Sequence, residues 1–535
     1  MTQISENKAE ANMRAHSNEP QNPPAPFTLA YYAQETPAKE ALADGKRRYT
    51  FAEFNRLVNR MAHVLADIGV RRGDRVAMLM YNTIETVAVG YAVGKVKANT
   101  VPIGYRLKSD EIEYVVNNSQ ASALVTSTEF ETVVRPIVDR FEHIAPGKIL
   151  AFGGGAPWAE AFEKKIEAAP DTFVEANPDE SSSSIIYTSG TTGKPKGAFR
   201  DNRPRDLQLI MSIVSNFRIT SDDRHIVAGP LYHSAPPVFS SLHTILGAFV
   251  YVMKRFDPEE FLRVVAQENI TSTFMVPTML NMIVNLPDEV KKRYHVRSMR
   301  NIVVGGAPFH ISTKRKTIDL FGEGCLFEFY GSTETGINTI LRPEEQLEKA
   351  GSCGRAFDGN EILLLDEDRQ PVKQGEVGEM FIKNNMLIDG YFQNPKATEE
   401  SFHQGYLSVG DMAFMDEDGY YYIVDRKKDM VISGGVNIYP AEIEIVINHH
   451  PKVFDSAVIG IPDEEWGESL KAYVVLKPGC SATPEEIIAY CQEHLASYKK
   501  PKSVELLDDL PRNPSGKVMR KLLREKYWTG QKKVH

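Results

Sequence analysis

From Tyr49 onward the chain alternates amphipathic helical stretches with short apolar runs. Thr50 and Glu53 stand ahead of Phe54, Leu57, Val58, Met61 and Leu65. A threonine followed three residues later by glutamate is a capping pair, and the apolar spacing behind it is a helical stripe. Gly69 and Gly73 then lead into the run VAMLM at 76–80, which reads as a strand. A helix over 85–97, a strand at 101–103, a helix from Asp110 and a strand at 123–126 continue the series. This alternation predicts parallel sheets covered by helices, an α/β class.

The pattern holds to about residue 340 and then changes. Segments 361–366, 379–383 and 420–424 are short strand patterns separated by Gly, Asp and Asn, so a small β-rich subdomain is expected. The charged break Asp425-Arg426-Lys427-Lys428-Asp429 precedes a further βα pattern, in which Thr483-Pro484-Glu485-Glu486 opens a helix with a cap, a first-turn proline and a capping-box carboxylate. A chain of 535 residues exceeds one compact core. The expected organisation is a disordered tail over 1–26, a large N-terminal domain over 27–427 made of α/β subdomains plus the β-rich one, and a small mobile α+β C-terminal domain over 428–535.

Composition narrows the function. With 42% hydrophobic and 25% charged residues the chain is an ordinary globular one, and its net charge of -9 argues against nucleic acid as partner. The four cysteines show no metal or disulfide spacing. Residues 1–26 are polar and proline-rich without the apolar core of a secretory signal, and the strongest apolar run, LGAFVYVM at 246–253, reads as a buried strand. No run reaches the roughly 18 apolar residues of a membrane span. A cytoplasmic protein is expected, with a homodimer allowed for.

The strongest chemical feature is an apolar strand, Ile185-Ile186-Tyr187, that runs into Thr188-Ser189-Gly190-Thr191-Thr192-Gly193-Lys194-Pro195-Lys196-Gly197. Glycines let backbone N–H groups approach a phosphate, hydroxyls donate to it, and lysines neutralise its charge. The Walker pattern is not met, because Gly190 precedes Gly193 by three positions and Pro195 sits where Ser or Thr is required. The string resembles the phosphate loop of the acyl-adenylate-forming superfamily, which includes acyl-CoA synthetases, firefly luciferase and peptide-synthetase adenylation domains. Further motifs follow in that family's order.

The resemblance implies a role for each of them. Gly306, Ala307 and Pro308 would lie against adenine, and Tyr330, followed by Gly331, would stack on it. Thr333 would contact the α-phosphate and Glu334 would hold Mg²⁺, a hard cation suited to a carboxylate. Asp411 would accept from both ribose hydroxyls, with Arg426 beside ribose or phosphate. Lys428 sits at the family's hinge, Ser433, Gly434 and Gly435 line its thiol tunnel, and Lys517 matches its catalytic lysine. His233 would stand beside the acyl carbonyl, in a pocket that includes Pro237, Val276 and Ile337. Residues 226–240 contain no Asp to pair with a substrate ammonium, so a fatty, aryl or alicyclic acid is expected rather than an amino acid.

The implied activity is ATP-dependent ligation of a carboxylic acid to coenzyme A through an acyl-adenylate. An adenylating enzyme with another acceptor, luciferase-like or carrier-loading, is the alternative. A non-catalytic nucleotide-binding protein stands further off, because Thr333, Glu334, Asp411, Arg426 and Lys517 occur together.

Overall fold

The computed structural model describes residues 24–172, 183–188, 195–201, 206–434, 436–512 and 518–528. The expected tail over 1–26 falls almost wholly outside them. The chain divides into two compact units: residues 1–305, 312–327 and 388–398 form the first, and residues 306–311, 328–387 and 399–535 the second.

The first unit holds the predicted parallel sheets. One runs Asn301–Val304, Ser272–Met275, Arg224–Val227, Phe249–Val252, Glu40–Ala43, all parallel, with Arg48–Thr50 antiparallel at its edge. The other centres on Arg75–Met78, flanked in parallel by Asn99–Pro102 and Ala123–Ser127, with Ile149–Phe152 beyond. The central strands are largely buried, as parallel strands covered by helices on their faces are. Thr50 and Glu53 form the predicted reciprocal cap on helix Phe51–Asp67, whose Phe54, Val58, Met61 and Leu65 are fully buried. The helix expected over 85–97 spans Ile84–Lys95. Of the apolar run 246–253, only Phe249–Val252 is strand, because the chain ahead of it closes helix Ala235–Ile245.

The second unit is richer in antiparallel pairing. Leu326–Ser332 and Gly336–Leu341 form a hairpin. Gly378–Lys383 pairs with Glu361–Leu365 and, at its start, with Asp411–Met415, which pairs in turn with Tyr421–Arg426. These are the strands of the predicted β-rich segment. Towards the C-terminus the long hairpin Val453–Asp463/Gly467–Leu476 carries Ser503–Leu506 in parallel, and Ile443, Ile447, Ile487 and Cys491 of helices Pro440–His449 and Pro484–His494 bury against it. Thr483 caps the latter helix as expected, but the carboxylate of Glu486 turns to Lys452 at 2.7 Å instead of closing a capping box. A full ammonium is a stronger partner than one backbone N–H.

Candidate active site

In the first unit, Ser184–Thr188 pairs antiparallel with Lys196–Arg200. Thr188 stands opposite Lys196, whose ammonium lies 5.0 Å above the ring of Tyr391. Ser189, Gly190, Thr191, Thr192 and Gly193 lie outside the described residues, as do Gly435 and Lys517.

His233 follows the parallel strand Arg224–Val227, at the sheet end where ligands of open α/β sheets bind. Its ring packs 4.3 Å from that of Tyr232, and its Nε2 is buried without a hydrogen-bond partner among the described residues. Burial, helped by the positive charge of Arg106, pulls its pKa down to about 4. The imidazole is therefore neutral at pH 7. Pro237 lies in the first turn of helix Ala235–Ile245, and Val276 precedes helix Pro277–Val284. Phe239 of the first of these helices stacks on Phe274 of strand Ser272–Met275 at 5.5 Å, so the chain beside Pro237 and Val276 is apolar here.

The second unit carries the other site residues. Strand Leu326–Ser332 carries Tyr330 and Gly331, and Thr333-Glu334-Thr335 forms the turn into its partner strand. Gly331 cannot carry a side chain, because a Cβ there would stand 2.0 Å from the carbonyl oxygen of Gly336. Glu334 is buried at the turn and Ile337 is buried just beyond it. Gly306, Ala307 and Pro308 are exposed after the strand Asn301–Val304.

Strand register brings Asp411 opposite Arg426, and Asp411 Oδ1 receives Arg426 Nε at 2.6 Å. The Tyr330 hydroxyl donates to Asp411 Oδ2 at 2.5 Å. Tyr330 and Arg426, far apart in sequence, thus share the carboxylate of Asp411, which is 4% exposed. Burial, then the negative charge of Asp411, pushes the Tyr330 phenol well above its ordinary range, so it stays a donor at any working pH. Arg426 also feels the charge of Glu334. Lys428 is exposed on the turn after strand Tyr421–Arg426, and Ser433 and Gly434 end one arm of the hairpin Val431–Ser433/Val436–Ile438.

Among the described residues no three His, Cys, Asp or Glu side chains form a metal cluster. Mg²⁺ is commonly held by one or two carboxylates together with substrate phosphates and water. Glu334, a buried carboxylate at the turn, offers a donor of that type.

Sequence reasoning missed the supports of this cluster. Glu379 accepts from Ser408 Oγ at 2.8 Å and Lys427 Nζ at 2.9 Å. Asp429 pairs with Arg524 at 2.9 Å, and Glu444 with Arg520 at 2.6 Å. The one signal available was a charge at a position facing the core of a predicted strand, as at Glu379.

The sequence profile of AMP-binding enzymes matches residues 29–392, and that of the AMP-binding enzyme C-terminal domain matches 442–517. A long-chain-fatty-acid–CoA ligase of Mycobacterium tuberculosis is 35% identical over 489 residues, 90% of this chain and 93% of the relative. A feruloyl-CoA synthase of an Amycolatopsis species is 35% identical over 503 residues, 92% of this chain and 97% of that one. Among solved structures, the o-succinylbenzoate CoA synthetase of Bacillus subtilis in complex with its acyl-adenylate intermediate matches with a TM-score of 0.80 at 32% identity. That match covers 93% of this chain and 98% of the other. The chain belongs to the AMP-binding enzyme family of adenylate-forming proteins and is a ligase of the acyl-CoA synthetase type.

Proposed function

We propose that this ligase activates a medium- or long-chain fatty acid, or a bulky aryl or alicyclic acid, and transfers it to coenzyme A. The observation that carries the nucleotide half of this reading is the convergence of Tyr330 and Arg426 on the buried carboxylate of Asp411. A buried acceptor held in place by two donors is pre-organised for sugar hydroxyls, and an aromatic face beside it suits a purine. For the acyl half, the neutral His233, the Phe239–Phe274 stack and the lack of Asp over 226–240 favour an uncharged, apolar group.

In the first step a substrate carboxylate oxygen attacks the α-phosphorus of ATP, and the bond to the bridging oxygen breaks to release diphosphate. Two anions must meet, so the protein's task is positioning and charge neutralisation. Lys517 and Lys196 supply positive charge, Thr333 a hydroxyl for the α-phosphate, and Gly306, Ala307 and Pro308 a wall for adenine. Mg²⁺, held by Glu334, supplies further neutralisation on the phosphates when bound. In the second step the coenzyme A thiol attacks the acyl carbon and AMP leaves. Residues 428–535 act as a mobile domain pivoting near Lys428. It presents Lys517 for adenylation, and the 433–440 segment, with Gly434 and Gly435, for the thiol.

The test is diphosphate release from ATP across a panel of carboxylic acids, with and without coenzyme A. Apolar acids should give acyl-AMP alone and acyl-CoA with AMP when the thiol is added. AMP release indifferent to coenzyme A would hand the reading to the alternative acceptor, and activity confined to small polar acids would overturn the pocket assignment.

A further inference from the structure

Asp411 does not hold its own place. It begins a strand directly after the turn Ser408-Val409-Gly410, and both ends of that turn are tied down. Ser408 N–H donates to the Ser401 carbonyl at 2.9 Å, while Ser408 Oγ accepts the Gly410 N–H at 3.0 Å. The Gly410 carbonyl accepts the Lys427 N–H at 2.8 Å. One side chain reaches both strands of this arrangement. Glu379, 8% exposed, accepts a hydrogen bond from the Ser408 hydroxyl on Oε1 at 2.8 Å and from the Lys427 ammonium on Oε2 at 2.9 Å, with Arg369 at 3.4 Å. Strand pairing sets Glu379 opposite Met412, the residue after Asp411.

We propose that Glu379 is a positioning residue for nucleotide recognition: through Ser408 it fixes the turn that aims Asp411, and through Lys427 it holds the segment leading to Lys428. The inference rests on the reading of Asp411 as the ribose acceptor. Chemistry explains why a carboxylate is used. Ser408 must donate in one direction and accept from Gly410 in the other, and only an acceptor on the far side fixes the hydroxyl proton that way. A carboxylate offers that acceptor and a second oxygen for Lys427 at once. A glutamine keeps one acceptor but turns an N–H₂ toward either the hydroxyl or the ammonium, and so loses one of the two ties.

The experiment compares ATP with its 2′-deoxy and 3′-deoxy analogues in acyl-AMP formation by the full-length wild type, Glu379→Gln, Glu379→Asp and Ser408→Ala. The wild type should prefer ATP. In Glu379→Gln the preference, as a ratio of kcat/KM, should shrink by about tenfold, the worth of one hydrogen bond to a charged group. KM for ATP should rise while KM for the acid stays put. Glu379→Asp should recover part of the preference, and Ser408→Ala should copy the loss even if Glu379→Gln fails to fold. A purely structural Glu379 would lower ATP and deoxy-ATP activity in equal proportion, and that result overturns the proposal while leaving the Asp411 assignment intact. A wild type indifferent to the ribose hydroxyls overturns the Asp411 assignment and this inference with it.

Discussion

Gly434 lies directly beneath the indole of Trp466: its N–H donates to the Trp466 carbonyl at 2.8 Å, and a Cβ on it would stand 2.6 Å from the ring. The position also takes a φ of +58, which L side chains rarely adopt. The missing side chain is therefore required by a neighbour within the same unit, whatever passes through the site. Gly434→Ala should lower stability by about 1–3 kcal/mol, the cost of overpacking plus backbone strain. Trp466 is 46% exposed and can swing out, so the loss should be smaller in a Trp466→Leu background. Equal losses in both backgrounds, read from denaturant unfolding, would place the cost in the backbone alone.

Asp411→Asn removes the anion shared by Tyr330 and Arg426. Breaking a wholly buried pair from one side costs about 3–5 kcal/mol. Arg426 keeps 31% exposure, so a smaller loss of about 1–3 kcal/mol is expected. The catalytic effect should exceed the structural one, with KM for ATP up by tenfold or more on the same energetic scale. Titrating the tyrosines by ultraviolet absorbance should show the Tyr330 phenol moving down, yet still above its ordinary range, because burial remains its largest perturbation. A variant with wild-type KM for ATP would remove Asp411 from the nucleotide site.

Asp425 gives a pH signature. Burial lifts its carboxyl from 3.8 to about 6, against the pull of Arg520 and of the Ala441 and Arg426 N–H groups and with the push of Glu444. The folded state therefore keeps a proton that the unfolded state has lost between pH 4 and 6. This group's contribution to stability is largest below about pH 4, falls up to about 6, and is level above, a change on the order of 3 kcal/mol. Asp425→Asn cannot ionise. The stability of the variant relative to wild type should rise across that window and then plateau. A pH-independent difference in unfolding midpoint would show that Arg520 and the two N–H groups offset burial completely.

Lys517 should separate the two half-reactions. Arg512 and Val518 bridge to each other, the Met519 N–H donates to the Pro511 carbonyl at 2.7 Å, and Arg520 binds Glu444. The described residues on either side of Lys517 thus have ties of their own, and Lys517→Ala should leave unfolding unchanged. Acyl-AMP formation should fall by about a hundredfold or more, the scale of losing one electrostatic stabiliser. Thioester formation from supplied acyl-AMP should persist. Equal loss of both half-reactions would remove the division of labour.

Much of this protein was legible in its sequence because the decisive forces there are local. The cap of Thr50 and Glu53, the strand at 76–78 and the strands of the β-rich segment follow from hydrogen bonds and apolar periods within a few residues. The order of the motifs also pointed to the family, since a phosphate loop is written in consecutive residues. What only the tertiary structure decided is which groups meet. Nothing near Asp411 in the chain announces Tyr330, 81 positions away, and nothing near Glu379 announces Lys427, 48 positions away. Antiparallel register sets Asp411 across from Arg426 and Glu379 across from Met412, and Tyr330 reaches Asp411 from a strand of another sheet. Burial then makes each unpaired charge too costly to leave alone, so the site's geometry is a product of strand register and desolvation. Glu486 differs from expectation in only one respect, its choice of Lys452 as partner, while the helix it opens stayed where local signals put it.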